Sequence, residues 1–498
     1  LPALAVLVAT ALAGTGCARN PVTGRPDAVL TTEQGEIEQG REAAKQVEEQ
    51  LGFVDDPALQ AYVDRLGQRL ASQSPRSHLE HTFHVVRMKE PNAFALPGGH
   101  IYVSRGLMGL VNSESELAVV IGHEIGHVAA RHSVTRQAAS APLAPVRILA
   151  GIGGAAASIV SPGIGRIVSG VGQLPGALAL AAYSREQERD ADRLGQTYAA
   201  AEGFDPEALA RFMEALTREE ALAGNDPTRQ SFLQSHPNSP DRASDAIEFA
   251  ETLTIAKTDP PPLSRPEFLA VLDGMPVNES ASEGVFIEER FLHPDLGFGM
   301  AFPAGWETAN APSAVGAIQK DHLGQVVAEI VAEGTDPMEQ ALVFDREVRL
   351  SHTPQRLTIH GLPAARAECE IGSRSDRMRV LLTWIALDGR IYRISGVAAQ
   401  RHFDPLLPTF VTTAGSFHAL DAAERKAIHQ DRLRIARARA GEDLAALGER
   451  TGNRWSVEQT AIANGLETDA EPGAGALVKI AVAEPYVPAR RPAQTGTD

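Results

Sequence analysis

The sequence predicts an α+β protein: a mainly helical domain over residues 35–258, a smaller α+β domain over 285–420, and a separate C-terminal segment over 433–483. Two observations carry this. Up to about Thr258 the apolar residues recur at helical spacing, behind recognisable start signals. After Asp259-Pro260-Pro261-Pro262, which reads as the start of a linker over 259–284, short β-prone segments take over. A chain of 498 residues exceeds one ordinary domain, and 43% apolar with 22% charged residues is a globular composition.

The elements follow in order. Leu1 to Gly16 is uncharged and rich in Leu, Ala, Val and Gly. It is short for a membrane span and reads as the apolar core of a signal peptide. Gly14-Thr15-Gly16-Cys17 resembles a bacterial lipoprotein cleavage site, although Gly14 stands where such sites usually carry Leu. Cys17 is therefore the expected lipidation site, and Ala18 after it favours the outer membrane. Residues 18–34 read as a tether. Ile37, Ala44 and Val47 share one side of a helix over 36–51, and Asp55-Asp56-Pro57 caps a second helix to Ala71. His81 to Val86 alternates as a strand, and Asn92 to Val103 reads as strand, Pro-Gly-Gly turn and strand. Ser113-x-x-Glu116 is a capping-box pattern ahead of a long apolar helix.

Residues 137–183 carry only two charges, Arg147 and Arg166, and are broken by Pro162 and Pro175. The prolines argue against a membrane hairpin and for an apolar lid or membrane-facing loop. Ser184-Arg185-Glu186-Gln187 opens a helix that stops at Gly203, and Asp205-Pro206 opens the next. The loop Ser235 to Pro240 leads into a helix containing Arg242. Within 285–420, Val380 to Ile385 and Arg390 to Ile394 are strands, and no catalytic constellation stands out. A charged helix is expected from Asp421 to about Arg437, and the Pro/Arg/Thr-rich tail over 484–498 is expected to be disordered.

Composition excludes some functions. The net charge of −17 argues against a nucleic-acid partner. With only Cys17 and Cys369 there is no disulfide framework and no thiolate metal site, so any metal is held by His and carboxylate. His123-Glu124-x-x-His127 supplies such a site. Positions i and i+4 share a helix face, so both imidazoles reach one ion, and Glu124 stands beside them as a base for water. A hydrolytic zinc needs a third ligand. The pattern that adds a histidine two turns on fails, because Ala130 and Ser133 occupy its Gly and His positions. His132 follows on the same helix, but its spacing of five residues from His127 turns it to another face. Glu188 is the better candidate, one turn from Asp192 on a capped helix; one carboxylate binds metal while the other receives a ligand histidine's ring N–H.

His123-Glu124-x-x-His127 followed by Glu188-x-x-x-Asp192 resembles the M48 family of membrane-associated gluzincin metallopeptidases. Asn92-Ala93-Phe94-Ala95-Leu96-Pro97-Gly98-Gly99, Ser184-Arg185-x-x-Glu188, and Ser235-His236-Pro237 before Arg242 support it over about 30–255. The resemblance implies a zincin-type domain with one Zn2+ per chain on His123, His127 and Glu188, and Glu124 as base and acid. Asp192 would orient a ligand histidine, with Arg242 supporting it. Asn92, Ala93, Phe94, Gly98 and Gly99 would form an edge strand and turn for substrate. His236 would occupy the metal's open position at rest or stabilise the oxyanion. Residues 433–483 resemble a LysM module through Ala440-Gly441-Glu442-Asp443-Leu444, Trp455-Ser456-Val457-Glu458, Ala463-Asn464-Gly465-Leu466 and Val478-Lys479-Ile480. That resemblance implies a βααβ fold and a peptidoglycan partner; the alternative is a module used for protein contacts. The expectation is a zinc metalloendopeptidase on the periplasmic side of the bacterial envelope, an outer-membrane lipoprotein cutting unfolded, misfolded or surplus envelope proteins. The competing reading is a non-proteolytic envelope chaperone or peptidoglycan-binding scaffold.

Overall fold

A computed structural model of the chain describes residues 16–22, 24, 26–29, 31–140, 182–224, 229, 231–237, 241–311, 313–372 and 377–488. The expected leader over 1–15, the Cys17 side chain, most of the apolar 137–183 segment and the tail from 489 lie outside the described residues. The described chain divides into two units. The first takes everything up to residue 278 together with 431–483, and the second takes 279–430 and 484–488.

The first unit opens with a hairpin of Gly16–Arg19 (β1) and Pro26–Val29 (β2), within the stretch read as a tether. Helices Glu33–Leu51 (α1) and Pro57–Ala71 (α2) start at caps. Thr32 accepts from Gly35, while Asp56 accepts from Ala58 and Leu59 ahead of Pro57. Strands Thr82–Val86 (β3), Ala93–Leu96 (β4) and His100–Ser104 (β5) form a sheet in the order β3-β5-β4, with β3 parallel and β4 antiparallel to β5. Arg105–Leu110 (α3) leads into Glu114–Ala129 (α4), the helix of the His-Glu-x-x-His segment. Ser113 Oγ accepts from Glu116 N as its pattern predicts, but the Glu116 carboxylate takes the N–H of Asn112 in place of the cap residue's own. His132–Ser140 (α5), Arg185–Ala201 (α6), Ala208–Ala223 (α7), the short Phe232–Ser235 (α8) and Arg242–Glu251 (α9) complete the set around the site. The capping box of α6 is fully formed by Ser184 and Gln187. The start of α7 differs from expectation: Asp205 folds back on Glu207 N, and Asp205-Pro206 makes a turn ahead of the helix.

Residues 259–284, read as a linker, instead contain the helix Arg265–Leu272 (α10), capped by Ser264 and Glu267. Phe268, Leu269 and Leu272 are fully buried in the core shared by α2, α4 and α7. The prolines at 260–262 precede an ordinary capping box, and the apolar triplet behind it belongs to the peptide core.

In the second unit, Val285–Ile287 (β6), Arg290–His293 (β7), Phe298–Ala301 (β8) and His418–Ala419 form a four-stranded sheet. Glu307–Ala311 (β9), Ala314–Ile318 (β10), Gly324–Glu333 (β11), Gln355–Ile359 (β12), Leu362–Ile371 (β13), Met378–Leu387 (β14) and Arg390–Ala399 (β15) form an antiparallel sheet in the order β12-β13-β14-β15-β11-β10-β9. Helix Pro337–Val348 (α11) covers one face and Gln400–Gly415 (α12) the other. Alternation along β14 explains this: Val380, Leu382 and Trp384 face α11 with Phe344, while Leu381 and Ile385 face α12 with Phe403 and Phe410.

The charged helix expected from Asp421 to Arg437 is not formed. After the edge strand His418–Ala419 (β16) comes a short helix, Ala422–Ala427 (α13), and then the strand His429–Arg437 (β17). Pairing overrides the helix-favouring composition, since Leu433 N donates to Met275 O and its own carbonyl accepts from Gly274. With Leu444–Thr451 (α14), Val457–Asn464 (α15) and Leu477–Pro485 (β18), the C-terminal segment is a βααβ unit whose strands pair.

This unit is built into the core of the helical domain. Leu433, Ile462 and Ala481 sit in the same cluster as Phe212 and Ile121. Lys479 is fully buried, and its Nζ donates to the carbonyls of Gly109, Leu110 and Val111 at 2.8, 3.2 and 2.7 Å. It thereby caps the C-terminal carbonyls of α3, of which Leu110 O also accepts from Asn112 Nδ2. Asn464 clamps its backbone on both sides. Burial pulls the Lys479 amine down to about 7, with nearby Glu116 opposing. An amine with a folded pKa below its unfolded one is more protonated when unfolded, so its contribution to stability rises with pH from about 7 toward the unfolded value near 10. Lys479→Met is expected to be destabilising, and its urea-unfolding deficit against wild type is expected to widen between about pH 7 and about pH 9. A pH-independent deficit would contradict a neutralised buried amine.

Candidate metal centre

Two helices bring the site together by meeting almost backbone to backbone. Gly122 and Gly126 on α4 face Ala191 and Gly195 on α6. A methyl group on Gly195 would stand 2.6 Å from His123 N, and one on Gly122 would stand 2.9 Å from Gly195 O. At that separation Glu188 and Asp192, on the facing side of α6, reach the histidines of α4.

The result is a buried group of four: His123, His127, Glu188 and His236, with one donor atom from each within 4.8 Å of the others. His127 Nε2 is 3.0 Å from His123 Nε2, and His236 Nδ1 is 3.2 Å from His123 Nε2 and 3.1 Å from Glu188 Oε1. Glu188 lies 3.5 Å from His127 and 3.8 Å from His123. Three imidazole nitrogens and one carboxylate oxygen, converging within 4.8 Å of one another, are a set that fits zinc. The histidine on the loop after α8 is thus placed with the helix ligands. Its ring stacks on Phe232 at 4.2 Å, and Phe232 N donates to Pro91 O, which fixes the loop.

Supporting contacts set the ligands' orientation. Asp192 Oδ1 is 2.9 Å from His123 Nδ1, leaving Nε2 for the metal. Arg242 grips Asp192 through Nε and NH2 at 2.9 and 2.7 Å and reaches Glu188 Oε2 at 2.8 Å. The structure places Asp192 against His123 and Arg242 against both carboxylates. Burial alone would raise the Glu188 and Asp192 carboxyls. Neighbouring charge outweighs it, from His236 at Glu188 and from His123 and Arg242 at Asp192, and holds both below the usual carboxylate range. Burial pushes His127 well below the usual imidazole range, so it keeps a lone pair for a metal.

Glu124 stands apart from the four. It is fully buried, and burial raises its carboxyl above the ordinary range, with His236 and His123 opposing. His236 Nε2 is 3.6 Å from Oε1, and the Ala95 backbone N–H also faces this carboxylate. Ala95 belongs to β4, the edge of its sheet. Ser104 N bonds to Asn92 O, and alternation along an antiparallel ladder then turns the backbone groups of Ala93 and Ala95 away from β5, toward the site.

Other predicted substrate residues point elsewhere. Phe94 stacks on Tyr102 at 5.0 Å in a cluster with Val47, and its ring is core. Gly98 and Gly99 adopt φ of 81° and 104° in the turn after β4, and a methyl group on Gly98 would meet Ile37 Cα at 2.9 Å. These glycines serve a tight turn packed on α1. Asn92 is buried and backbone-paired to Ser104.

His132 does not lie where a helix running on from His127 would put it: α4 ends at Ala129, and Arg131 takes φ 58° before α5 restarts at His132. The break swings His132 back, so its Nδ1 lies 2.9 Å from His127 Nδ1. The break is itself held: Glu36 binds Arg131 at 3.0 Å and Arg76 at 2.8 Å, and Arg76 also donates to Val128 O. Tyr183 closes the group, stacked on His127 at 3.9 Å, with its hydroxyl 3.1 Å from Ser133 Oγ. Nothing in the spacing signalled Glu36, Arg76 or Tyr183; the Gly122-x-x-x-Gly126 and Ala191-x-x-x-Gly195 pairs were legible as a close helix contact.

Residues 57–249 match the model of Peptidase family M48, and the domain they form is a member of that family. Its cofactor is zinc, and His123, His127, Glu188 and His236 are the residues that fit the ion. A putative beta-barrel assembly-enhancing protease of Vibrio cholerae is 35% identical over 210 residues, 42% of this chain and 42% of that protein. The beta-barrel assembly-enhancing protease of Escherichia coli K12 is 29% identical over 223 residues, 44% of each. The mitochondrial metalloendopeptidase OMA1 of Schizosaccharomyces pombe is 32% identical over 181 residues, 36% of this chain and 50% of that protein. The matched region spans half or less of each of these relatives.

Gly195→Ala tests the close helix contact. It is expected to cost about 1–3 kcal/mol in urea unfolding and to weaken zinc binding in a chelator competition. Wild-type values for both would contradict the α4–α6 contact as the basis of the site.

Proposed function

We propose that this chain is a zinc-dependent metalloendopeptidase of the bacterial cell envelope, acting on unfolded, misfolded or surplus envelope proteins. The observation that carries the reading is Glu124, buried beside four converging donors, with His236 Nε2 3.6 Å from its Oε1. His123, His127 and Glu188 would hold zinc there, which would supply Lewis-acid polarisation of a water and of the scissile carbonyl. Glu124 then accepts the water's proton and delivers it to the leaving amine; burial, which raises its carboxyl, suits it to both directions of transfer. A substrate strand would pair with the outward backbone groups of Ala93 and Ala95, adding to the sheet.

The geometry favours a closed resting form. β4 is buried along its length, and His236 Nδ1 stands among the ligands where water and substrate carbonyl would bind. Turnover would require His236 and its loop to withdraw. The names of the bacterial relatives, with their reference to β-barrel assembly, support an envelope location. Among the described residues no helix is long and apolar enough to cross a membrane. Lipidation at Cys17 would supply a membrane anchor. The βααβ unit would add peptidoglycan binding, although its packing into the helical core equally supports a structural role.

Glu124→Gln is expected to keep zinc and lower kcat on an unfolded substrate such as casein by at least about 10²-fold. Zinc-loaded wild type no faster than this variant would favour the non-proteolytic chaperone reading. His236→Ala is expected to raise turnover while weakening zinc retention. A loss of turnover with zinc retained would instead assign His236 to the oxyanion.

A further inference from the structure

The two histidines of α4 are treated differently by their surroundings. His123 rests its Nδ1 on Asp192, a carboxylate that sequence spacing predicts. His127 has no carboxylate at its Nδ1; the group there is the ring of His132. We propose that His132 is a positioning residue for the metal, accepting the Nδ1–H of His127 and holding that ligand in the tautomer whose Nε2 lone pair faces Glu188 and His123.

The geometry leaves little choice of roles. His127 Nε2 is the atom turned to the ligand group, 3.0 Å from His123 Nε2 and 3.5 Å from Glu188 Oε1. A neutral imidazole that offers Nε2 to a metal carries its proton on Nδ1. That proton is buried with the 0% exposed ring, and a buried donor needs an acceptor. His132 Nδ1, 2.9 Å away on a ring only 4% exposed, is that acceptor, so His132 carries its own proton on Nε2. Metal-ligating histidines usually pass this proton to a carboxylate or carbonyl. Here a neutral ring does the work, which adds no second negative charge beside Glu188 and Glu124.

The chain spends several buried groups on keeping His132 in place. Arg131 is held in a left-handed conformation, with φ 58°, by the Glu36 carboxylate. Glu36 is in turn fixed by Arg76, which donates to Val128 O at the last turn of α4. Beyond it, Ser133 pairs with the hydroxyl of Tyr183, whose ring covers the other face of His127. A continuous helix would carry residue 132 away from His127. The strained turn is therefore what makes the contact, and its cost is met by the Glu36 ion pairs.

The inference rests on His127 being a zinc ligand, and the test separates the two claims. Zinc affinity of the full chain is measured by competition with a chromophoric chelator, alongside thermal unfolding. His132→Leu is expected to weaken zinc binding by about 10- to 100-fold. His132→Asn, whose Oδ1 falls near the place of Nδ1, is expected to recover most of that loss. A His132→Leu protein that binds zinc like wild type would overturn the proposal, as would His132→Asn binding as weakly as His132→Leu. Wild type that binds no zinc would overturn the metal centre itself. A readout needing no variant is nitrogen NMR of zinc-loaded wild type with 15N-histidine. A coupling across the hydrogen bond is expected between a protonated His127 Nδ1 and an unprotonated His132 Nδ1. A protonated His132 Nδ1 would overturn the proposal.

Discussion

The site depends on how closely α4 and α6 approach. Helices separated by ordinary side chains lie 8–10 Å apart. Gly122, Gly126, Ala191 and Gly195 remove the intervening side chains, so Glu188 and Asp192 arrive within bonding distance of α4. Everything else follows from that distance. Glu188 becomes a ligand, Asp192 orients His123, and Arg242 balances both carboxylates. A site of this polarity is tolerable in a core only because nearly every charge in it has a partner.

Much of this was legible in the sequence, and the physical reason is local. His123 and His127 are one turn apart on a capped helix, as are Glu188 and Asp192, so their shared faces follow from the helical repeat alone. The position of His132 is not legible, because helical phase stops applying at Arg131, where the backbone turns left-handed. The edge strand and turn expected over 92–99 are formed, while the Phe94 ring packs in the core because a strand alternates its faces, and Gly98 and Gly99 pack their turn on α1. The supposed linker and the supposed helix over 421–437 misled for one shared reason: α10 and β17 are stabilised by partners far away in sequence.

The C-terminal βααβ unit shows how such partners work. Lys479 caps α3, and α3 runs directly into the loop that starts α4. Glu116 stands on the first turn of α4, near the same amine. A residue 370 positions downstream of Gly109 thus helps to fix the start of the metal-binding helix, while Glu36 and Arg76 fix its end. The helix is held at both termini by groups outside it, which suits a ligand pair that must keep one geometry.

The most direct test of this account is X-ray absorption at the zinc edge of the full-length protein, compared with His236→Ala. The account predicts a sulfur-free shell of three imidazoles and one carboxylate in wild type, falling to two imidazoles, one carboxylate and a water oxygen in the variant. A wild-type shell without two imidazoles and a carboxylate would contradict the metal centre, and an unchanged shell in His236→Ala would contradict the closed resting form.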